Sequence, residues 1–142
     1  MEENMNQNPV MESLDLGDIQ DNILGVAVLN VRHPQTGKLT GATITLYGPD
    51  STESQELDAK LSDKRLQRIQ QRGGQKISST ELNEMMLEKL VGLTRGISNF
   101  FVKGEVYAST KTNIYSLYHG NPWLREQVQD FLEDRRNFFK ES

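Results

Sequence analysis

The chain has 142 residues, enough for one domain with a single core, and 35% of them are hydrophobic, so part of the chain must be tail or solvated helix. It has no cysteine, which excludes disulfides and thiolate metal sites and fits a reducing compartment, and no apolar run approaches the 18 residues of a membrane span. The net charge of −4 is unevenly spread: residues 1–21 hold six acids and no Lys or Arg, net −6, against 16 basic and 14 acidic residues in the remainder, net +2. An acidic arm on a nearly neutral domain argues against general nucleic-acid affinity.

In chain order, residues 1–21 read as a flexible acidic arm, with residues 22–142 as a single α+β domain. The opening MEENMNQNPV is acidic and amide-rich, the opposite of a signal or transit peptide. Leu14, Leu16 and Ile19 are too few to hold the whole arm in place, although they suffice for a short strand or turn. Two strand-like runs follow. Gly25 to Arg32 places Ala27, Leu29 and Val31 on one face and Val26, Val28 and Asn30 on the other; Ala42 to Tyr47 places Ala42, Ile44 and Leu46 on one side. The connector carries Pro34 and Gly37, so the pair reads as an antiparallel hairpin. Two strands are marginal in water, so helices must cover one face or a third strand must join. Residues 100–107 are the segment expected to supply that strand or a second small hairpin.

Pro49-Asp50-Ser51 starts a polar helix that runs to about Arg72 and ends at Gly73-Gly74, with sparse apolar positions at Leu57, Leu61, Leu66 and Ile69. Ser78 and Glu81 form a capping box for the next helix, and Ile77 and Leu82 sit at hydrophobic-staple positions. Leu82, Met85, Met86, Leu90, Leu93 and Ile97 give it a continuous apolar stripe, while Gly92 and Gly96 mark close approach or fraying near its end. The last helix is expected to start at Asn121 (N-cap) and Pro122 and to run nearly to the end of the chain. Leu124, Val128, Phe131, Leu132, Arg135, Phe138 and Phe139 recur there at helical spacing, and Phe131 is expected in the core. The fold class is therefore α+β: an N-terminal β-hairpin, extendable to three strands, packed on three to four helices.

Little in the chain suggests catalysis. His33 stands beside a turn proline and His119 in a Tyr-His-Gly-Asn turn, neither with a second ligand at metal spacing. Gly73-Gly74 lacks the Gly-Lys-Ser/Thr of a phosphate loop, and no nucleophile has a placed base. No enzyme activity, cofactor or metal is expected. Two features are candidate partner sites. Lys60, Lys64, Arg68 and Arg72 recur every four residues and drift about 40° per step, a slanting basic stripe. It reads as a strip for an acidic partner or RNA, or as a solvated face partly paired with Glu56. No aromatic interleaves it, which argues against single-strand stacking. Trp123 lies off the Leu124–Val128–Phe131 stripe. It either packs on the Tyr115–Tyr118 segment or stands as a partner anchor.

The order Thr110, Asn113, Leu117, Tyr118, then Pro122-Trp123-Leu124-Arg125-Glu126-Gln127-Val128, then Asp134 and Asn137-Phe138 resembles the C-terminal signature of the tail assembly chaperones of long-tailed bacteriophages. Upstream, His33-Pro34-Gln35-Thr36-Gly37, the run Gly41 to Leu46, and Gly48-Pro49-Asp50-Ser51 are similar to that family's opening, in which a turn joins two strands and a Gly-x-Asp-Ser step leads into a helix. The resemblance spans Gly25 to Phe139. It lapses at Leu93 to Val102, where Gly96, Phe100 and Phe101 stand in place of the family's Trp-Gly pair. It implies a non-enzymatic holdase in the host cytoplasm. Such a protein coats the tape measure protein, helps recruit the major tail tube protein and is absent from the mature virion. The alternatives are a structural tail or connector protein kept in the virion, or a small nucleic-acid-binding regulator that uses the basic stripe.

Overall fold

The computed structural model describes residues 13–73 and 76–140. The elements run α1 (Leu16–Asn22), β1 (Val26–Arg32), β2 (Leu39–Tyr47), α2 (Thr52–Gln71), α3 (Ser79–Leu93), β3 (Thr94–Ser98), β4 (Phe101–Val102), β5 (Glu105–Val106), α4 (Lys111–Gly120), α5 (Pro122–Glu133) and a 3-10 turn (Arg135–Phe138). The fold is α+β. β1, β2 and β3 form one antiparallel sheet with β2 in the centre, and β4 and β5 form a separate small hairpin.

The hairpin forms as its alternation requires. Leu29 pairs with Ile44 and Ala27 with Leu46 across the two strands, and Leu29, Val31, Ala42, Ile44 and Leu46 are all buried on one face. The helices cover that face with Leu87, Leu90, Ile114, Tyr118, Leu124, Val128 and Phe138. Each such side chain contributes about 1.5–3 kcal/mol on leaving water. At the centre, Thr94 Oγ1 donates to the Leu90 carbonyl at 2.7 Å and so accepts from the buried Tyr118 hydroxyl at 2.6 Å. Burial pushes the Tyr118 phenol up to about 12.

Caps define where the long helices begin. Ser51 Oγ accepts from the Ser54 N–H at 3.1 Å and starts α2; Gly73, at φ 65°, follows its end. Ser78 and Glu81 form the expected capping box on α3. α2 packs chiefly on α3, and at one point the two helices nearly touch: a Cβ at Gly92 would stand 2.7 Å from Leu57 Cδ2. Gly74, at the expected stop, lies outside the described residues.

Several expectations need correction. α3 ends at Leu93, and Ile97 belongs to β3, which runs antiparallel to β2 with Ile97 opposite Ile44. The third strand is therefore Thr94–Ser98, and residues 100–107 meet the other expectation for them, a second small hairpin, β4–β5. On α3 the buried face is Leu87, Leu90 and Leu93; Leu82, assigned to the stripe and the staple, is 45% exposed. α5 ends at Glu133 because Asp134 turns extended (ψ 96°) and its side chain caps the 3-10 turn, accepting from the Arg136 N–H at 3.1 Å. The turn swings Phe138 into the core at 2% exposure and leaves Phe131 half-buried at its margin. The boundary at residue 21 falls inside α1, a helix capped by Asp15. Residues 1–12 of the expected arm lie outside the described residues.

Candidate partner-binding surface

The basic stripe is turned toward α3. Lys64 and Arg68 both reach Glu88, at 3.6 Å each, and Arg72 forms a two-pronged pair with Glu81, with Nη1 to Oε1 at 2.6 Å. Lys89 reaches back to Asp58 at 3.3 Å. The expected Glu56–Lys60 pair is not among these contacts. Lys60 instead lines a cleft of about 200 Å³ with Lys64, Lys111 and Tyr115, where α2, α3 and α4 meet. Through its hydrogen bond, and with help from the Ser78 backbone, Arg72 holds the Glu81 carboxyl down at about 2. Three of the four stripe residues thus cross-tie two helices, which leaves less free positive charge than the spacing suggested.

Trp123 lies elsewhere. The Tyr115 hydroxyl donates to Glu84 at 2.7 Å and its ring stacks on His119, while Tyr118 is fully buried. Trp123 is half-buried at the edge of the core and walls a groove of about 550 Å³ between α5, the end of β1 and the Pro34–Gly37 turn. Leu29 and Phe131 give this groove apolar lining, and Glu126, Asp130 and Asp134 line its α5 side. Asp134 is paired with Arg136 at 2.8 Å; among the described residues neither Glu126 nor Asp130 has an ion-pair partner. A second groove of about 480 Å³ continues toward Leu24 and Phe139, and Phe131 and Asn137 line both.

Sequence reasoning missed what holds this surface together. Gln127 spans from α5 to β1. Its Oε1 accepts from the Arg32 N–H at 2.9 Å and its Nε2 donates to the Arg32 carbonyl at 2.8 Å. Asn137 Nδ2 donates to the Phe131 carbonyl at 2.9 Å and ties the 3-10 turn to α5. Asp50 accepts from Arg135 Nε at 3.1 Å, and Gly48 lies against Phe138, so the Gly48–Ser51 step and the Asp134–Phe138 segment meet in space. Both stretches were visible as motifs, but nothing in either named the other as its partner.

The remaining motif residues have local roles. Thr110 caps α4, Asn113 Nδ2 donates to the Ala108 carbonyl, and Asn121 Nδ2 donates to the Leu117 carbonyl. His33 Nδ1 accepts from the Gln35 N–H inside the hairpin turn. Among the described residues no three His, Cys, Asp or Glu side chains gather as a metal site would require, and no helix is long and apolar enough to cross a membrane. Compared with protein-family models, curated proteins and solved structures, the chain matches none.

Proposed function

We propose that this protein is a phage tail assembly chaperone, a non-enzymatic holdase that binds the tape measure protein and helps bring tail tube subunits to it. The observation that carries the reading is the order and spacing of motifs from His33 to Phe138, which resemble that family's signature over most of the chain. A holdase needs apolar surface that a partner can cover and later release, rimmed by charge that keeps the free protein soluble. The joined grooves along Trp123 and Phe131, with Glu126 and Asp130 at the rim, are a surface of that kind.

Binding there is a matter of covering side chains and leaves no chemistry to perform. The tape measure protein is long, helical and self-associating, so a chaperone that masks its apolar stretches keeps it apart from other copies until tube subunits replace it. Co-expression with the tape measure protein tests the reading. The two are expected to co-purify, and tape measure protein that is equally soluble and uncomplexed with the chain present would sink it.

A further inference from the structure

Among the described residues, the free edge of β1 is closed at both ends and open in the middle. Gly48 donates to the Gly25 carbonyl at 2.9 Å, which sets the phase of the antiparallel ladder. Residues 25, 27 and 29 therefore bond to β2, and the N–H and C=O groups of Val26, Val28 and Asn30 point away from it. At one end the edge is sealed by the chain's own C-terminal segment. Leu24 donates to the Phe138 carbonyl at 2.7 Å, Ile23 bridges Phe139, and Lys140 donates to the Asn22 carbonyl at 2.8 Å. At the other end, the Gln127 amide occupies both backbone groups of Arg32, as a neighbouring strand would. Among the described residues nothing bonds to the outward groups of Val26, Val28 and Asn30.

Proteins usually protect such an edge with a proline, a charge or a bulge. Val26-Ala27-Val28-Leu29-Asn30 has no proline or charge, and the bulge comes only after Asn30. Val28, at its midpoint, is 50% exposed. The two joined grooves run along this same stretch, with Phe131 common to both. Their ends differ in charge: Glu126 and Asp130 lie with Arg32 at the Trp123 end, and Lys140 lies at the Phe139 end beside Arg136, whose guanidinium is taken up by Asp134.

We infer that an extended segment of a partner protein adds to β1 as a fourth strand, bonding to Val26, Val28 and Asn30 in line with the Phe138–Lys140 segment. Backbone bonds supply affinity in this mode, and alternate side chains entering the grooves supply specificity. The gap holds about five residues at a strand rise of roughly 3.3 Å each. The segment that fits alternates apolar residues, with Lys or Arg toward Glu126 and Asp130 and an acidic residue toward Lys140. The chain's own first twelve residues contain three acids and no Lys or Arg, so they lack the cation this gap favours. A second copy of β1 would arrive with its own α5 beside it, bulk that a gap bounded by α5 and the 3-10 turn does not admit.

The inference rests on the holdase reading for its partner, so the test uses two probes. One is a library of random decapeptides selected on the immobilised full chain; the other is the tape measure protein. Val28→Pro removes an N–H that the β1–β2 ladder does not use, and proline is tolerated at such edge positions. Alternating apolar peptides with a basic end should be selected, and Val28→Pro should weaken them at least tenfold. In the parent protein, amide exchange at Val28 and Asn30 should slow at least tenfold when a selected peptide is added, a readout that holds even if the proline variant does not fold. Selection of no such peptide, binding untouched by Val28→Pro, or unchanged exchange would each overturn the inference. So would slow exchange in the free chain, whether it depends on concentration (a second copy) or is released by deleting residues 1–12 (the chain's own arm). Peptides that bind at the edge while the tape measure protein does not bind would sink the holdase reading alone. Tape measure protein held equally by parent and Val28→Pro would sink the strand addition alone.

Discussion

The backbone of Gly48 lies so close to the ring of Phe138 that a Cβ at position 48 would stand 2.9 Å from Cδ1 and 3.1 Å from Cγ. Phe138 is 2% exposed, and the Leu24 carbonyl, 3.2 Å from the same point, closes the other side. The contact joins the start of the α2 step to the end of the chain. Gly48→Ala must displace a buried ring or the backbone, and is expected to cost about 1–3 kcal/mol. Phe138→Ala should cost about 3–5 kcal/mol. Because the two positions touch, the costs should not add: once the ring is gone, the alanine meets only the Leu24 carbonyl at 3.2 Å. Urea unfolding of the two single variants and the double variant checks this, and simple additivity would mean that the ring does not rest on Gly48.

Phe131 and Phe138 separate core from margin. Their rings meet edge to face at 5.4 Å, but only Phe138 is fully enclosed. Phe131→Ala should therefore cost clearly less than Phe138→Ala in the same measurement, and equal costs would place Phe131 in the core after all.

Much of this fold is legible in the sequence. Alternation in Ala27–Val31 and Ala42–Leu46 gives the buried face of the hairpin, because a strand's period of two is unambiguous when six such positions agree. Ser51 and Ser78 mark the starts of α2 and α3, because a hydroxyl at the N-cap satisfies a backbone N–H that the helix leaves unpaired. Ile97 misleads: it sits four residues after Leu93 and extends the helical stripe, although Thr94 leaves the helix and pairs with Leu46 on β2. A five-residue strand is too short for its own period to outweigh that. Phe138 and Phe139 likewise keep helical spacing past Asp134, where a local side-chain cap ends α5. The grooves and the open edge of β1 are not legible at all. They depend on Gln127 meeting Arg32 and on Phe138 meeting Leu24, contacts between distant segments that carry no local signature.

Stability at high pH should report on Tyr118. Its folded value near 12 lies above the ordinary value of 10.0, because burial disfavours the phenolate. A raised folded value means that the folded state holds the proton longer. The stabilisation is thus fully present below pH 10 and is lost as pH rises from 10 toward 12. Tyr118→Phe should flatten that alkaline decline. It should also cost roughly 1 kcal/mol at neutral pH through the lost hydrogen bond to Thr94. An alkaline limb of unchanged slope would mean the phenol is not buried.

The acid limb should report on Glu81. Its carboxyl is held at about 2 against an ordinary 4.5, so the stabilisation it brings is present above pH 4.5 and disappears as pH falls toward 2. Arg72→Gln removes the main cause, and the fall in stability across that window should shrink. Lys64→Gln and Arg68→Gln break exposed pairs and should each change stability by less than about 0.5 kcal/mol. A salt-sensitive RNA complex lost in the Lys64, Arg68 and Arg72 triple Gln variant would instead restore the stripe as a binding strip.

A chaperone acts on the tail and then leaves it, whereas a tail or connector protein stays. Quantitative mass spectrometry of purified virions, with lysate from the same infection as the reference, separates the two most directly. The account predicts abundant chain in the lysate, recovered with the tape measure protein, and none in finished particles. Stoichiometric amounts of the chain in the particles would contradict it and make this protein a part of the tail.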